Sequence, residues 1–126
     1  MLHGQRHAGA QILMNQKVSR YRQSLSQWAH SVQAARNPHD AFRLASNKPS
    51  PSSLIRSMHS LYSSDAMRAQ NTVERNLSDR LDKIGGDDPI ILNLMRMSQG
   101  HWPRLYRKIE NMRRQAREEA EGKPDA

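Results

Sequence analysis

Apolar residues recur at alternating steps of four and three in two stretches of the chain, and this spacing limits the possible folds most strongly. The spacing keeps an apolar line on one side of a helix, where a second helix can cover it. It therefore predicts an all-α fold built by helix packing. The first seam comprises Met14, Val18, Tyr21, Leu25, Trp28, Val32 and Ala35, and the second comprises Ile91, Met95, Ser98, Trp102, Leu105, Ile109, Met112 and Ala116.

The composition leaves little material for a closed core. The chain has 126 residues, of which 36% are apolar and 5% aromatic, and its mean hydropathy is -0.91. This length corresponds to one domain. Because so few apolar side chains must offset the ordering of the whole chain, we expect self-association or a partner helix to complete the packing. No segment approaches the roughly 18 apolar residues of a membrane-spanning helix.

Proline, glycine and serine divide the chain into segments. We predict a basic, acid-free helical segment at residues 1–45, a Pro/Ser-rich linker at 46–53, a helical hairpin at 54–120 and a tail at 121–126. Asn37 and Pro38 are expected to close the first helix. The left-handed conformation that glycine tolerates is expected to end a later helix at Gly85 and Gly86.

Two further signals concern the hairpin. Asp88 and Pro89 are typical of a helix start, since an aspartate accepts free backbone N–H groups and proline at the first position loses no helical hydrogen bond. Pro103 lies inside the second seam, where it removes a helical hydrogen bond and crowds the preceding turn. We therefore expect the hairpin to turn at residues 85–89, and its last helix to kink or break near residues 100–103.

No residue cluster has the chemistry or spacing of a catalytic motif. Helix capping explains Asp87 and Asp88 better than acid-base chemistry does. His3 and His7 could share a helix face, but they lack further metal-ligand partners nearby in the sequence. There is no cysteine for a thiolate site. We predict a protein that is not an enzyme and that has no cofactor, metal or small-molecule substrate.

The charge of the chain supports an alternative function. The formal net charge is +8, and no acidic residue precedes Asp40. Such a charge attracts nucleic acid, anionic membranes or acidic proteins alike. Nucleic-acid binding through the last helix is therefore the alternative, and a solvated basic face is the simpler explanation. The basic stretch begins at Arg96, and the predicted binding residues are Arg104, Arg107, Lys108, Arg113, Arg114 and Arg117.

Several cellular compartments are compatible with the sequence. A bacterial cytoplasmic protein, or one exported without a cleavable signal, fits the absence of a secretory leader pattern. An acid-free beginning that contains serine, glutamine and arginine also fits organellar import. The seam argues against a discarded leader, because it continues through Trp28.

From Val73 onward the sequence resembles the needle and inner-rod subunits of type III secretion systems. The resemblance lies in Leu81-Asp82-Lys83-Ile84, Asp88-Pro89, Ile91-Leu92, Ser98, Trp102 and Leu105-Tyr106-Arg107. It implies two helices joined by an acidic-proline turn, in subunits that polymerise into a hollow filament. It also implies that Asp88, Pro89, Leu92, Trp102, Leu105 and Tyr106 lie at the turn and at subunit contacts.

The leading hypothesis is a non-enzymatic helical assembly protein, and more specifically a secretion-apparatus rod or needle-like subunit. Under this hypothesis Trp28→Ala or Leu105→Ala should abolish assembly. The predicted protein-interaction residues are Val18, Tyr21, Leu25, Trp28, Val32, Asp88, Pro89, Leu92, Trp102, Leu105, Tyr106 and Ile109.

Overall fold

Helices make up almost all of the regular structure. The computed structural model of the chain describes residues 2–122, with side chains described from residue 9 onward. Within these residues there is no strand, which confirms the all-α prediction. The helices are α1 (Leu2–Ala34), α2 (Pro38–Ala45), α3 (Ser53–Arg56), α4 (Ser63–Leu81), α5 (Ile90–Ser98) and α6 (Pro103–Gly122), with one 3-10 turn at His59–Leu61.

The three long helices run in the same direction, and the short helices α2 and α5 return the chain between them. The Tyr21 ring of α1 meets Tyr62, just before α4, with ring centroids 5.0 Å apart. Arg80, near the end of α4, reaches the last carbonyls of α1. One hydrophobic core results, and it draws side chains from every part of the chain between residues 18 and 109.

The junction between α1 and α2 follows from three residues. The Asn37 side chain accepts a hydrogen bond from the Asp40 backbone N–H at 2.9 Å, and Pro38 begins α2. The last carbonyls of a helix lack helical partners. Arg80 donates to three carbonyls at this end of α1, those of Val32, Gln33 and Ala35, at 3.3, 3.0 and 2.7 Å, and the Val32 carbonyl also accepts from the Ala35 backbone N–H.

The segment between α4 and α5 contains one confirmed prediction and one wrong one. Asp88 accepts from the Ile90 backbone N–H at 3.0 Å, as expected for a helix start. Neither Gly85 nor Gly86 has a positive φ, so the left-handed helix end predicted there is wrong. Gly86 instead brings the loop against α6, since a Cβ there would lie 2.7 Å from the Met112 carbonyl oxygen. Close backbone approach explains this glycine.

Pro103 divides the predicted last helix into α5 and α6. Gly100, with φ of +81°, lies in the intervening turn. The Trp102 backbone N–H donates to the Ser98 carbonyl at 2.8 Å, which closes the turn before the proline. The predicted break is confirmed. From residue 63 onward the predicted hairpin therefore consists of the three helices α4, α5 and α6, and α6 runs in the same direction as α4.

The Pro/Ser-rich segment is attached to the helices. The Tyr21 hydroxyl donates to the Pro49 carbonyl at 3.0 Å. Burial raises the pKa of Tyr21, because the phenolate is poorly solvated there. The Ser52 hydroxyl accepts from the Ile55 backbone N–H at the start of α3. The predicted linker is thus a packed loop, and it forms one wall of the groove described below.

Candidate interaction surfaces

The predicted interaction residues of the first seam lie inside the chain. Val18, Tyr21, Leu25, Trp28 and Val32 are all buried against α2, α4 and their connecting segments. Packing within one chain accounts for their spacing. A second chain would reach them only after the helices had separated.

The apolar interaction residues predicted between positions 89 and 109 fall into two groups. Trp102, Leu105 and Ile109 are buried in the same core. Leu92 is 52% exposed on α5, and Pro89 is exposed beside it.

Two further predicted interaction residues are only partly buried. Asp88 and Tyr106 are half-buried, and Asp88 also lies 3.4 Å from His39 Nε2. Among the residues that the secretion-subunit resemblance implies, only Pro89 and Leu92 are exposed, while Asp88 and Tyr106 remain partly accessible.

The two tryptophans stack on each other within the hydrophobic core. Their ring centroids are 6.4 Å apart, and the ring planes are inclined by 15°. Trp28 Nε1 donates to the carbonyls of Leu44 and Ala45 at 3.2 and 3.3 Å. Trp102 Nε1 is buried without a hydrogen-bond partner within residues 9–122.

The first described turns of α1 differ from the rest of that helix. Between residues 9 and 17 only Met14 is even partly buried. Ile12 and Leu13 are 59% and 55% exposed. At about 1.5 Å per residue, the 33 residues of α1 span roughly 50 Å, while the 19 residues of α4 span roughly 28 Å. The helix is longer than the layer that covers it.

The basic residues of the nucleic-acid alternative are distributed around α6. Lys108 points toward α4, where its ammonium donates to the Ser78 carbonyl at 2.6 Å and lies 2.9 Å from Asp82 Oδ1. Arg113 turns toward α5 and contacts Met95 Sδ at 3.1 Å. Arg104, Arg107, Arg114 and Arg117 are exposed.

Part of this basic set forms a shallow pocket of about 220 Å³. Arg113, Arg114 and Arg117 line it together with Tyr106, and Glu110 contributes one opposing charge. Arg114 is held by a 2.8 Å hydrogen bond to Asn111 Oδ1.

A groove of about 1010 Å³ opens between the loop at residues 46–52, the start of α4 and the corner between α5 and α6. Lys48, Arg96 and Arg104 bring positive charge to it, and Glu74 brings one carboxylate. Tyr21, Tyr62, Trp102, Pro49 and Pro51 contribute apolar surface.

Two of the charged residues of this groove, Lys48 and Glu74, belong to no motif in the sequence. They come together with Arg96 and Arg104 only through the return of α2 and the turn before Pro103. The isolated lysine inside a Pro/Ser-rich segment is the one feature that could have drawn attention. Arg96 and Arg104 belong to the basic stretch of the nucleic-acid alternative, and both line the groove.

The described residues contain neither a cluster of metal ligands nor a helix suited to crossing a membrane. Among residues 9–122 no three His, Asp or Glu side chains come together as metal ligands would. The His3 and His7 side chains lie outside the described set. None of the helices, over the residues described, combines the length and apolar character that a membrane crossing requires.

Comparison with known proteins places the chain in no family. No family model, curated protein or solved structure matches it.

Proposed function

We propose that the protein is a non-enzymatic helical interaction protein that associates through the first turns of α1. The observation that carries the proposal is the contrast between a self-contained core and the uncovered residues Ile12 and Leu13. Residues 9–16 include no charged side chain. Electrostatic repulsion between two positively charged copies of the chain is therefore weaker at these residues than elsewhere on the surface. A second copy of this chain is the partner we favour, and a helix of another protein is the alternative.

The seam residues take a different part in this proposal from the one expected from the sequence. Trp28 and Leu105 are core side chains. Replacing either with alanine would destabilise the fold, and a loss of assembly could then result from unfolding alone. Their substitution cannot separate the two effects. Ile12 and Leu13 can, because substitutions at exposed positions have little effect on folding.

The test measures molar mass by light scattering over a range of protein concentrations. We expect the natural sequence to associate and the double variant Ile12→Gln/Leu13→Gln to stay monomeric. The matched control is Leu54→Gln/Leu61→Gln, which removes two other exposed leucines that are 43% and 46% accessible. It should associate like the natural sequence. A natural chain that stays monomeric throughout would exclude self-association.

A finer proposal is a secretion-apparatus rod or needle-like subunit. The turn with Asp88 and Pro89 and the exposed Leu92 on α5 support it, because the resemblance implies these three residues at the turn and at subunit contacts. Electron microscopy of the associated form tests it. Hollow filaments that Leu92→Gln abolishes are expected, and closed dimers would contradict it.

Nucleic-acid binding is the second candidate, favoured by the pocket of Arg113, Arg114, Arg117 and Tyr106. Several arginines on one face neutralise phosphates, and an aromatic ring can stack on a base. We expect Arg114→Gln/Arg117→Gln to weaken binding to a labelled oligonucleotide, and to reduce the slope against salt by about one unit per lost phosphate contact. The exposed pair Lys17 and Arg20 on α1 provides the control of equal charge. Equal weakening by both pairs would indicate general attraction only.

A further inference from the structure

The groove beside the loop at residues 46–52 collects cations from three separate parts of the chain. Lys48 comes from the loop, Arg96 from α5 and Arg104 from α6. Within residues 9–122 none of the three lies within 4.0 Å of a carboxylate oxygen, whereas Arg22, Arg43 and Lys108 each have such a partner. The groove thus holds three cations that are in no ion pair within the described part of the chain, against the single carboxylate of Glu74.

Lys48 is held in place by a defined set of contacts. Its ammonium donates to Gln70 Oε1 at 2.5 Å, and Gln70 Nε2 donates to the His101 carbonyl at 2.7 Å. The ammonium also lies 5.9 Å from the ring centroid of Trp28. A lysine has three N–H donors, so this geometry leaves further donors for a ligand.

Partial burial removes water from the Lys48 ammonium, and this loss of solvation favours binding of an anion. Desolvation lowers the pKa of Lys48, because water no longer fully stabilises the ammonium. A carboxylate at the same place would replace the lost solvation with a charge-assisted hydrogen bond.

We propose that this groove binds an acidic peptide segment, with side-chain carboxylates of the segment on Lys48, Arg96 and Arg104. The volume of about 1010 Å³ reaches the upper end of the roughly 300 to 1,000 Å³ typical of small-molecule sites. Tyrosine and proline walls offer apolar contact to the stems of glutamate side chains. This surface is separate from the turns of α1 that carry the proposed self-association.

Glu74 determines which part of the groove takes the carboxylates. It is 9% exposed and lines the groove one helical turn beyond Gln70. No hydrogen-bond donor within residues 9–122 pairs with its side chain. A ligand carboxylate beside Glu74 would be repelled, so the acidic groups of the ligand should lie on the three cations and away from this side chain.

The experiment titrates the whole chain into a dye-labelled octaglutamate peptide and follows fluorescence anisotropy. Octaglutamine and an oligonucleotide with the same number of charges serve as comparison probes. We expect octaglutamate to bind, and Lys48→Gln or Arg96→Gln to weaken it by about tenfold or more, as expected for loss of a positioned ion pair. Lys17→Gln, an equal charge change on an exposed part of α1, should change binding by less than about twofold because salt screens distant charges.

The Glu74→Gln variant gives a result of opposite sign. Removing the repulsion should tighten octaglutamate binding by a few-fold, whereas loss of affinity would show that the carboxylate itself contacts the ligand and would overturn the assignment. Three further results would also overturn it. These are equal weakening by Lys48→Gln and Lys17→Gln, tighter binding of the oligonucleotide through the same residues, and no octaglutamate binding at low salt.

Circular dichroism of each variant shows whether it is folded before the titration. The self-association test uses Ile12 and Leu13 without any peptide, so its failure and the failure of this proposal are distinguishable.

Discussion

The two parts of α1 have the same helical structure and very different surroundings. From Val18 to Val32 every first-seam residue is buried, and Arg80 holds the carbonyls at the end of the helix. From residue 9 to 17 the helix has no comparable cover. The difference shows that an apolar repeat predicts a helix that needs covering. It does not tell which turns the same chain covers and which it leaves for a partner.

The largest expected effect separates these two parts directly. Leu25 is fully buried in the packed part, so Leu25→Ala should lower the free energy of unfolding by about 3 kcal/mol, through lost burial and a cavity. Leu13→Ala, the same substitution in the uncovered part, should change it by less than about 0.5 kcal/mol. Urea unfolding of both variants at low protein concentration measures the difference. Equal losses would show that the early turns are packed as well.

The stacked tryptophans provide a second matched pair. Trp28→Phe removes the donor of the Ala45 carbonyl, whereas the Leu44 carbonyl keeps the Asn47 backbone N–H at 3.1 Å. Trp102→Phe removes an N–H that has no partner within residues 9–122. We expect the Trp28 variant to be less stable than the Trp102 variant by about 2 kcal/mol, the usual range for an unsatisfied buried polar group. Thermal unfolding of the two variants tests this. The reverse order would mean that Trp102 Nε1 has a partner in solution.

Arg80 tests why one end of α1 is fixed. Its guanidinium donates to three carbonyls at the end of the helix, where a cation also interacts favourably with the helix dipole. Arg80→Met should cost about 1.5 kcal/mol and should increase amide hydrogen exchange near the end of α1. The exposed Arg75 on the same helix is the control. Similar losses of stability from both substitutions would show that the contacts of Arg80 with these carbonyls do not stabilise the end of α1.

The smallest effect concerns Gly9. A Cβ at this position would meet no atom within 4 Å. Alanine favours a helix over glycine by about 1 kcal/mol. Because these turns are not coupled to the core, Gly9→Ala should raise the helical signal in circular dichroism and shift the global unfolding free energy by less than about 0.5 kcal/mol. A larger shift would couple the early turns to the core.

Several local features followed from residue chemistry alone. Asp88 accepts the Ile90 backbone N–H at the start of α5 as predicted, and Pro103 separates α5 from α6, because each acts on backbone atoms within a few positions of itself. For Gly86 the predicted reason, a left-handed helix end, is wrong. A side chain at this position would clash with the Met112 carbonyl, which is 26 positions away in the chain, and no local sequence pattern indicates such a contact.

The sequence by itself determined that the protein is helical, where its main breaks fall and which side chains require cover. Only the tertiary structure decided that one chain covers both seams, that Ile12 and Leu13 stay exposed, and that Lys48, Arg96 and Arg104 share a groove. The physical reason is the distance along the chain over which each kind of interaction acts. Capping, proline geometry and helical periodicity act between near neighbours, whereas burial and shared electrostatic surroundings depend on how distant segments pack.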